Sequence, residues 1–299
     1  MPTPISPDPC LHERPLAVRG KRTFREGNAV SDNTESSVVE GVNPGNPDVV
    51  LCEVDGPVAV VTINRPAARN AVNSAVAAGM AAALDDLEGR PDVQVIVLTG
   101  AGGTFCAGMD LKGFLAGEDP AAGGRGFAGI VERPPAKPVI AAVEGYALAG
   151  GFEVALSCDL IVASEEAVFG LPEVTRGLVA AAGGLLRLPR RIPYHLAMEV
   201  ALTGDRIPAP QMHRAGLINR LVPAGQALAA ATELARRLSQ NAPLALAATK
   251  RVVVESADWP ADEQFARQSE LTAPVFGSAD AIEGAAAFAE KRPPVWRGQ

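Results

Sequence analysis

Ala147-Leu-Ala-Gly-Gly-Phe-Glu153 and Phe169-Gly-Leu-Pro-Glu173 are the stretches on which the reading of this chain turns. Their glutamates stand 20 positions apart, and each has its own kind of mount. Glu153 follows Gly150 by three residues, on one face of a helix that the Gly150-Gly151 pair opens after a strand. The first N–H groups of a helix lack intrahelical partners, and the macrodipole adds partial positive charge there. An oxygen gaining negative charge is stabilised at such a place. Paired glycines also serve close helix packing, so this signal alone leaves both readings open. Phe152, Val154, Ala155 and Leu156 around Glu153 are apolar, and a carboxylate in a segment built for burial needs a partner or a raised pKa. Arg176 and Arg187 are the candidate partners for a purely structural pair. Glu173 follows Pro172, whose fixed φ also drives Leu171 to extended backbone. That is a rigid mount, although a surface acid in a loop would have the same local sequence. Taken together, the features point to acid/base chemistry on a carbonyl compound.

The remaining composition narrows the field. A chain of 299 residues with 47% hydrophobic and 20% charged residues can bury a sizeable core in one large or two modest domains. A net charge of −7, without a basic run, argues against nucleic acid as a partner. Cys10, Cys52, Cys106 and Cys158 are scattered, with no CxxC, so free thiols in a reducing compartment are expected and a metal site is not. No run of eighteen apolar residues exists to span a membrane, and the first thirty residues lack the apolar core of a secretion signal. Cytoplasm is the expected location.

Residues 1–47, rich in Pro, Ser, Asn and charge, read as a disordered extension. Two apolar runs, 49–54 and 58–63, flank Asp55-Gly56-Pro57 and read as a hairpin. A helix over 74–87 and a buried strand over 94–99 follow. Residues 113–130, with many Gly and Ala, read as a mobile loop. Strands are expected at 139–143, 159–163, 167–170 and 217–222. Helices are expected at about 193–203, 208–214, 226–239, 243–256, 260–272 and 278–290, which gives an α/β core with a helical C-terminal region.

Competing site readings fail on specific residues. The glycines after Thr99 would make a dinucleotide fingerprint only with glycine where Phe105 stands. No Gly-Lys-Ser/Thr phosphate loop and no Gly-x-Ser-x-Gly elbow occurs. His12, His195 and His213 lie in the tail or among helices, and Cys106 reads as a small core residue.

Four motifs in order resemble the crotonase superfamily, also called the enoyl-CoA hydratase/isomerase family. They are Phe105-Cys-Ala-Gly-Met-Asp-Leu-Lys112, Val143 to Leu160 with Glu153, Phe169-Gly-Leu-Pro-Glu-Val174, and Glu283 to Arg292. The resemblance covers about residues 48–297 and implies a spiral of ββα repeats over 48–225. A helical region over 226–299 would build trimers or dimers of trimers. It implies an acyl-CoA thioester as substrate, no cofactor beyond that coenzyme A, and an oxyanion hole from the N–H groups of Met109 and Gly150. Ala107, Asp110, Leu111 and Lys112 would contact the CoA, joined by Phe288 and Lys291 from this chain or a neighbouring subunit. Both acids, Glu153 and Glu173, match the hydratase branch, so hydration of a trans-2-enoyl-CoA is the expected activity. A double-bond isomerase, a carnitinyl-CoA-type dehydratase and a CoA-ester-binding protein without turnover are the alternatives. Ala149, Phe152 and the Gly177 to Gly184 segment depart from the usual hydratase pattern and border the acyl site.

Overall fold

The computed structural model describes residues 49–299; the expected N-terminal extension lies outside the described residues. The hairpin forms as expected. β1 (Val50–Asp55) and β2 (Val58–Ile63) pair antiparallel, with Asp55 opposite Val58 and Gly56 at φ +54° in the turn. There follow α1 (Ser74–Gly89), β3 (Val95–Gly100), α2 (Leu111–Leu115), β4 (Val139–Val143), β5 (Tyr146–Leu148), α3 (Gly150–Ser157), β6 (Leu160–Ser164) and β7 (Val168–Gly170). Then come α4 (Gly184–Arg187), α5 (Tyr194–Thr203), β8 (Ile207–Pro208), α6 (Ala209–Arg214) and β9 (Arg220–Val222). Four helices close the chain: α7 (Ala227–Leu238), α8 (Pro243–Glu255), α9 (Gln264–Phe276) and α10 (Ala279–Glu290).

The strands form a six-stranded sheet in the order β1-β2-β3-β4-β6-β9, parallel from β2 onward, and a three-stranded sheet β5-β7-β8. β3 is buried on both faces, which is why its sequence is a continuous apolar run rather than an alternation. Val95 and Val97 pack with Ile140, Val162 and the Ala231 and Leu234 face of α7, while Ile96 and Leu98 join the larger core on the other side. β1, at the edge, alternates between covered and open positions.

The spiral arises because the chain steps from the large sheet to a second strand layer after each turn. Cys106 follows β3 and pairs with Ala147 of β5; β5 follows β4, and β7 follows β6 in parallel with β5. Each step leads into a helical segment: α2, α3, and the 3-10 turn Pro172–Arg176. These are ββα repeats.

Some boundaries differ from expectation. α9 starts at Gln264, after the turn that Pro260 opens, and continues through Pro274 to Phe276. Pro274 gives up its bond to the preceding turn and crowds the Glu270 carbonyl, and the helix ends two residues later at Phe276. Regular pairing at 217–222 is confined to β9, although Leu217 and Ile218 are buried. β5, β8, α2 and α4 are too short to show a period.

The 113–130 stretch is mostly irregular, yet it is anchored. Arg125 is fully buried, with Nε 3.0 Å and Nη2 2.7 Å from Asp85, a further bond to Glu88, and Nη1 2.6 Å from the Arg133 carbonyl. Asp85 and Glu88 lie three apart on α1, hence on one face. Arg125→Met is expected to destabilise the fold by roughly 2 kcal/mol, because it removes a charged donor from two carboxylates and a carbonyl, leaving Asp85 with Arg133 and Glu88 with the Ala136 N–H. A denaturant titration showing less than about 1 kcal/mol would mean that the clamp behaves as an ordinary surface pair.

Candidate active site

Three backbone segments meet at the N-terminus of α3. Cys106 donates to the Tyr146 carbonyl at 2.8 Å and accepts from Leu148 N–H at 3.0 Å, so the Phe105–Gly108 strand runs beside β5. At Gly151 the approach is so close that a Cβ would lie 2.1 Å from the Cys106 carbonyl oxygen. Only glycine fits there. Gly108, at φ +100°, brings the next turn of chain against α3: a Cβ on it would lie 3.2 Å from the Gly150 nitrogen. Between β5 and α3 stands Ala149 at φ 51°, ψ −131°, a backbone region that costs a residue with a side chain about 1–3 kcal/mol. Its strain turns the chain so that α3 begins at Gly150.

The hydrogen bonds around Met109 leave one donor open. Val72 donates to Gly108 at 2.8 Å and accepts from Asp110 N–H at 2.8 Å, which fixes Met109 between them. Neither Met109 N–H nor Gly150 N–H has a hydrogen-bond partner among the described residues. Gly108 sets the two next to each other. Two unfilled donors at a helix N-terminus make an anion-stabilising position. The ring of Phe127 lies against Gly150, where a Cβ would stand 2.5 Å from its Cζ.

Asp110 does structural work in this arrangement. Its carboxylate accepts from Arg65 at 3.0 Å and from Lys112 N–H at 3.1 Å, capping α2. The Arg65 bond, foremost, holds its carboxyl below the usual carboxylate range. Ala107 donates to the Arg69 carbonyl at 3.0 Å, while Leu111 and Lys112 are exposed on α2. Phe288 and Lys291 are exposed at the far end of α10, which packs on α9 and on the C-terminal residues. No hydrogen bond or ion pair among the described residues joins them to the 107–112 loop.

Glu153 is 2% exposed, on the first turn of α3. Its Oε1 accepts from Gly184 N–H at 2.8 Å, and no ion pair among the described residues reaches it. The structural alternative of an arginine pair is therefore not what the chain builds: Arg187 bonds the Val131 and Ala182 carbonyls instead. Burial raises the Glu153 pKa; backbone N–H groups of Gly184 and Ala182 and the charge of Arg187 partly oppose the rise. Glu173 opens a 3-10 turn behind Pro172, and its Oε2 is buried without a hydrogen-bond partner among the described residues. Burial, reinforced by the charge of Glu153, pushes its carboxyl up to about 6. Gly184 links the two acids, since it touches Glu153 and lines, with Glu173, a cavity of about 270 Å³.

Thus the structure brings together Glu153, Glu173, Gly150 and Met109, and leaves Phe288 and Lys291 elsewhere on this chain. Phe127, Arg125, the Arg65 bond to Asp110 and the Gly184 bond to Glu153 escaped the sequence reading; the Asp85 and Glu88 pair on one helix face was the available signal for a buried cation.

Comparisons with known proteins identify the family of the chain. The family described as enoyl-CoA hydratase/isomerase matches residues 53–299. A carnitinyl-CoA dehydratase of Salmonella typhi is 42% identical over 253 residues, which is 82% of this chain and 97% of that protein. The crystal structure of an enoyl-CoA hydratase from Mycobacterium marinum is 56% identical, with a TM-score of 0.83 over 84% of this chain and all of that one, 100%. A carnitinyl-CoA dehydratase structure from Mycobacterium avium is 44% identical, with a TM-score of 0.67, covering 84% of this chain and 99% of that one. With its ββα spiral and its four motifs in order, the chain belongs to the enoyl-CoA hydratase/isomerase family, the crotonase superfamily.

Proposed function

We propose that this enzyme catalyses the reversible syn addition of water to a trans-2-enoyl-CoA, giving the 3-hydroxyacyl-CoA. The observation that carries the proposal is a pair of carboxyl groups in unlike surroundings, Glu153 buried and Glu173 half-buried, set beside two unfilled backbone donors. The thioester oxygen occupies the position between Met109 and Gly150 N–H. Water held at the two carboxyls adds its oxygen to C3 while the Glu153 carboxylate takes its proton. Electrons of the C2–C3 double bond move to the thioester oxygen, and the resulting enolate collapses as C2 takes the proton of Glu173. The Gly184 N–H bond supports an ionised Glu153, whereas partial burial, with Oε2 left without a partner, favours the neutral form of Glu173. One site thereby holds a base and an acid at the same pH.

The chemistry uses no group beyond the coenzyme A of the substrate. On this reading Ala107, Leu111 and Lys112 bind the CoA along the 107–112 loop, which Asp110 holds in place. α8 and α9 bury none of their residues, and Phe265, Phe276, Ile282 and Phe288 are exposed, which supports assembly into trimers or dimers of trimers. Phe288 and Lys291 would then serve the CoA site of a neighbouring subunit. Loss of the conjugated-thioester absorbance with a panel of enoyl-CoAs tests the reaction. Tight binding of CoA esters with no absorbance change on any member would overturn it in favour of a binding protein.

A further inference from the structure

Some relatives carry the name carnitinyl-CoA dehydratase, and a carnitinyl group ends in a quaternary ammonium. The cavity beside Glu173 has a different chemistry. Leu171, Val174, Val179, Met198 and Leu202 represent its wall, and Glu173 is the one polar side chain among the described residues lining it. No aromatic ring lines it. A buried quaternary ammonium needs a counter-charge or the faces of aromatic rings. Three nearby phenylalanine rings are committed elsewhere. Phe152 and Phe169 are fully buried against each other, 5.3 Å between centroids, and Phe127 lies at the oxyanion end against Gly150. Glu173, the lone carboxyl, stands where the cavity meets Gly184 and Glu153, and the wall beyond it offers no second counter-charge among the described residues.

We infer that this site takes an uncharged hydrocarbon acyl group and rejects an acyl chain ending in a quaternary ammonium. The inference rests on the proposed reaction for the placement of the acyl tail in this cavity. Calorimetric binding of unreactive saturated esters tests it without turnover. Hexanoyl-CoA is expected to bind at least about tenfold more tightly than free CoA, since each buried methylene contributes a comparable factor in an apolar pocket. The trimethylammonium-capped butyryl-CoA is expected to bind no more tightly than free CoA. Equal or tighter binding of the capped ester than of hexanoyl-CoA would overturn the inference, whatever the absorbance assay reports about hydration. Two variants sharpen the result. Met198→Glu should weaken hexanoyl-CoA and close the gap to the capped ester by about tenfold. Glu173→Gln should leave the hydrocarbon preference intact; binding of the capped ester to the wild type that is lost in Glu173→Gln would show that Glu173 is the cation's partner and sink the idea.

Discussion

Glu173→Gln is expected to lower kcat by about 10²–10⁴-fold, the usual worth of a positioned general acid or base. Glutamine keeps the size and the polar end of the side chain but cannot give a proton to C2. Glu153→Gln should cost a similar factor from the other side, because the amide cannot accept the proton of water. The two groups act on one transition state, so the double variant should fall little below the worse single one. The pH profile separates their roles. Hydration needs Glu173 protonated, and its carboxyl is pushed up to about 6, so kcat/KM of the wild type should fall as pH rises through that value. The decline should approach tenfold per unit at higher pH. At the acid end the rate should fall as Glu153 protonates, with its midpoint displaced upward from that of a solvated glutamate because burial opposes its charge. In Glu173→Gln the limb near 6 should vanish. Wild-type kcat in either single variant would dismiss the two-carboxyl mechanism.

Gly151→Ala is the second large effect, and it acts without touching either acid. The new Cβ would stand 2.1 Å from the Cys106 carbonyl oxygen and 2.7 Å from its carbonyl carbon. Both obstacles are backbone, so no side-chain rotation relieves the clash. The Phe105–Gly108 strand must part from α3, and Met109 moves with it, away from Gly150. Losing one donor from an oxyanion hole costs about 10²–10³-fold in kcat. Overpacking of this kind also destabilises by about 1–3 kcal/mol. Turnover should therefore collapse while a thermal melt still shows a cooperative transition at lower temperature. A folded Gly151→Ala enzyme with kcat within about threefold of wild type would mean that the Met109 and Gly150 pair is not the oxyanion position.

How much of this was legible beforehand depends on which atoms carry each feature. β2, β3 and α1 announce themselves through side-chain pattern, and their observed limits lie close to the expected ones. The glutamates and the opening at Gly150 were visible because glycine and glutamate are informative residue types in an apolar run. β5 was not, since three residues between Gly145 and Ala149 carry no readable period. The partner of Glu153 was hidden for another reason. Gly184 offers a backbone N–H, a group that nearly every residue possesses, from 31 positions away. Arg125 misled in its own way: glycines on both sides suggest solvent, while its carboxylate partners lie 37 and 40 positions upstream. Long-range electrostatics of that sort leaves no trace in the residues around the arginine itself.

The Arg125 clamp has a bearing on traffic through the enzyme. Phe127 covers Gly150, and two residues before it a fully buried guanidinium fastens the same segment to α1. Lifting that cover would part a dry cation from both carboxylates, so it is built as a fixed wall and not as a door. Val179 and Leu202, on the cavity side, are by contrast open to solvent. The cavity therefore opens to solvent past Val179 and Leu202, while the Phe127 segment opposite is held rigid against α1.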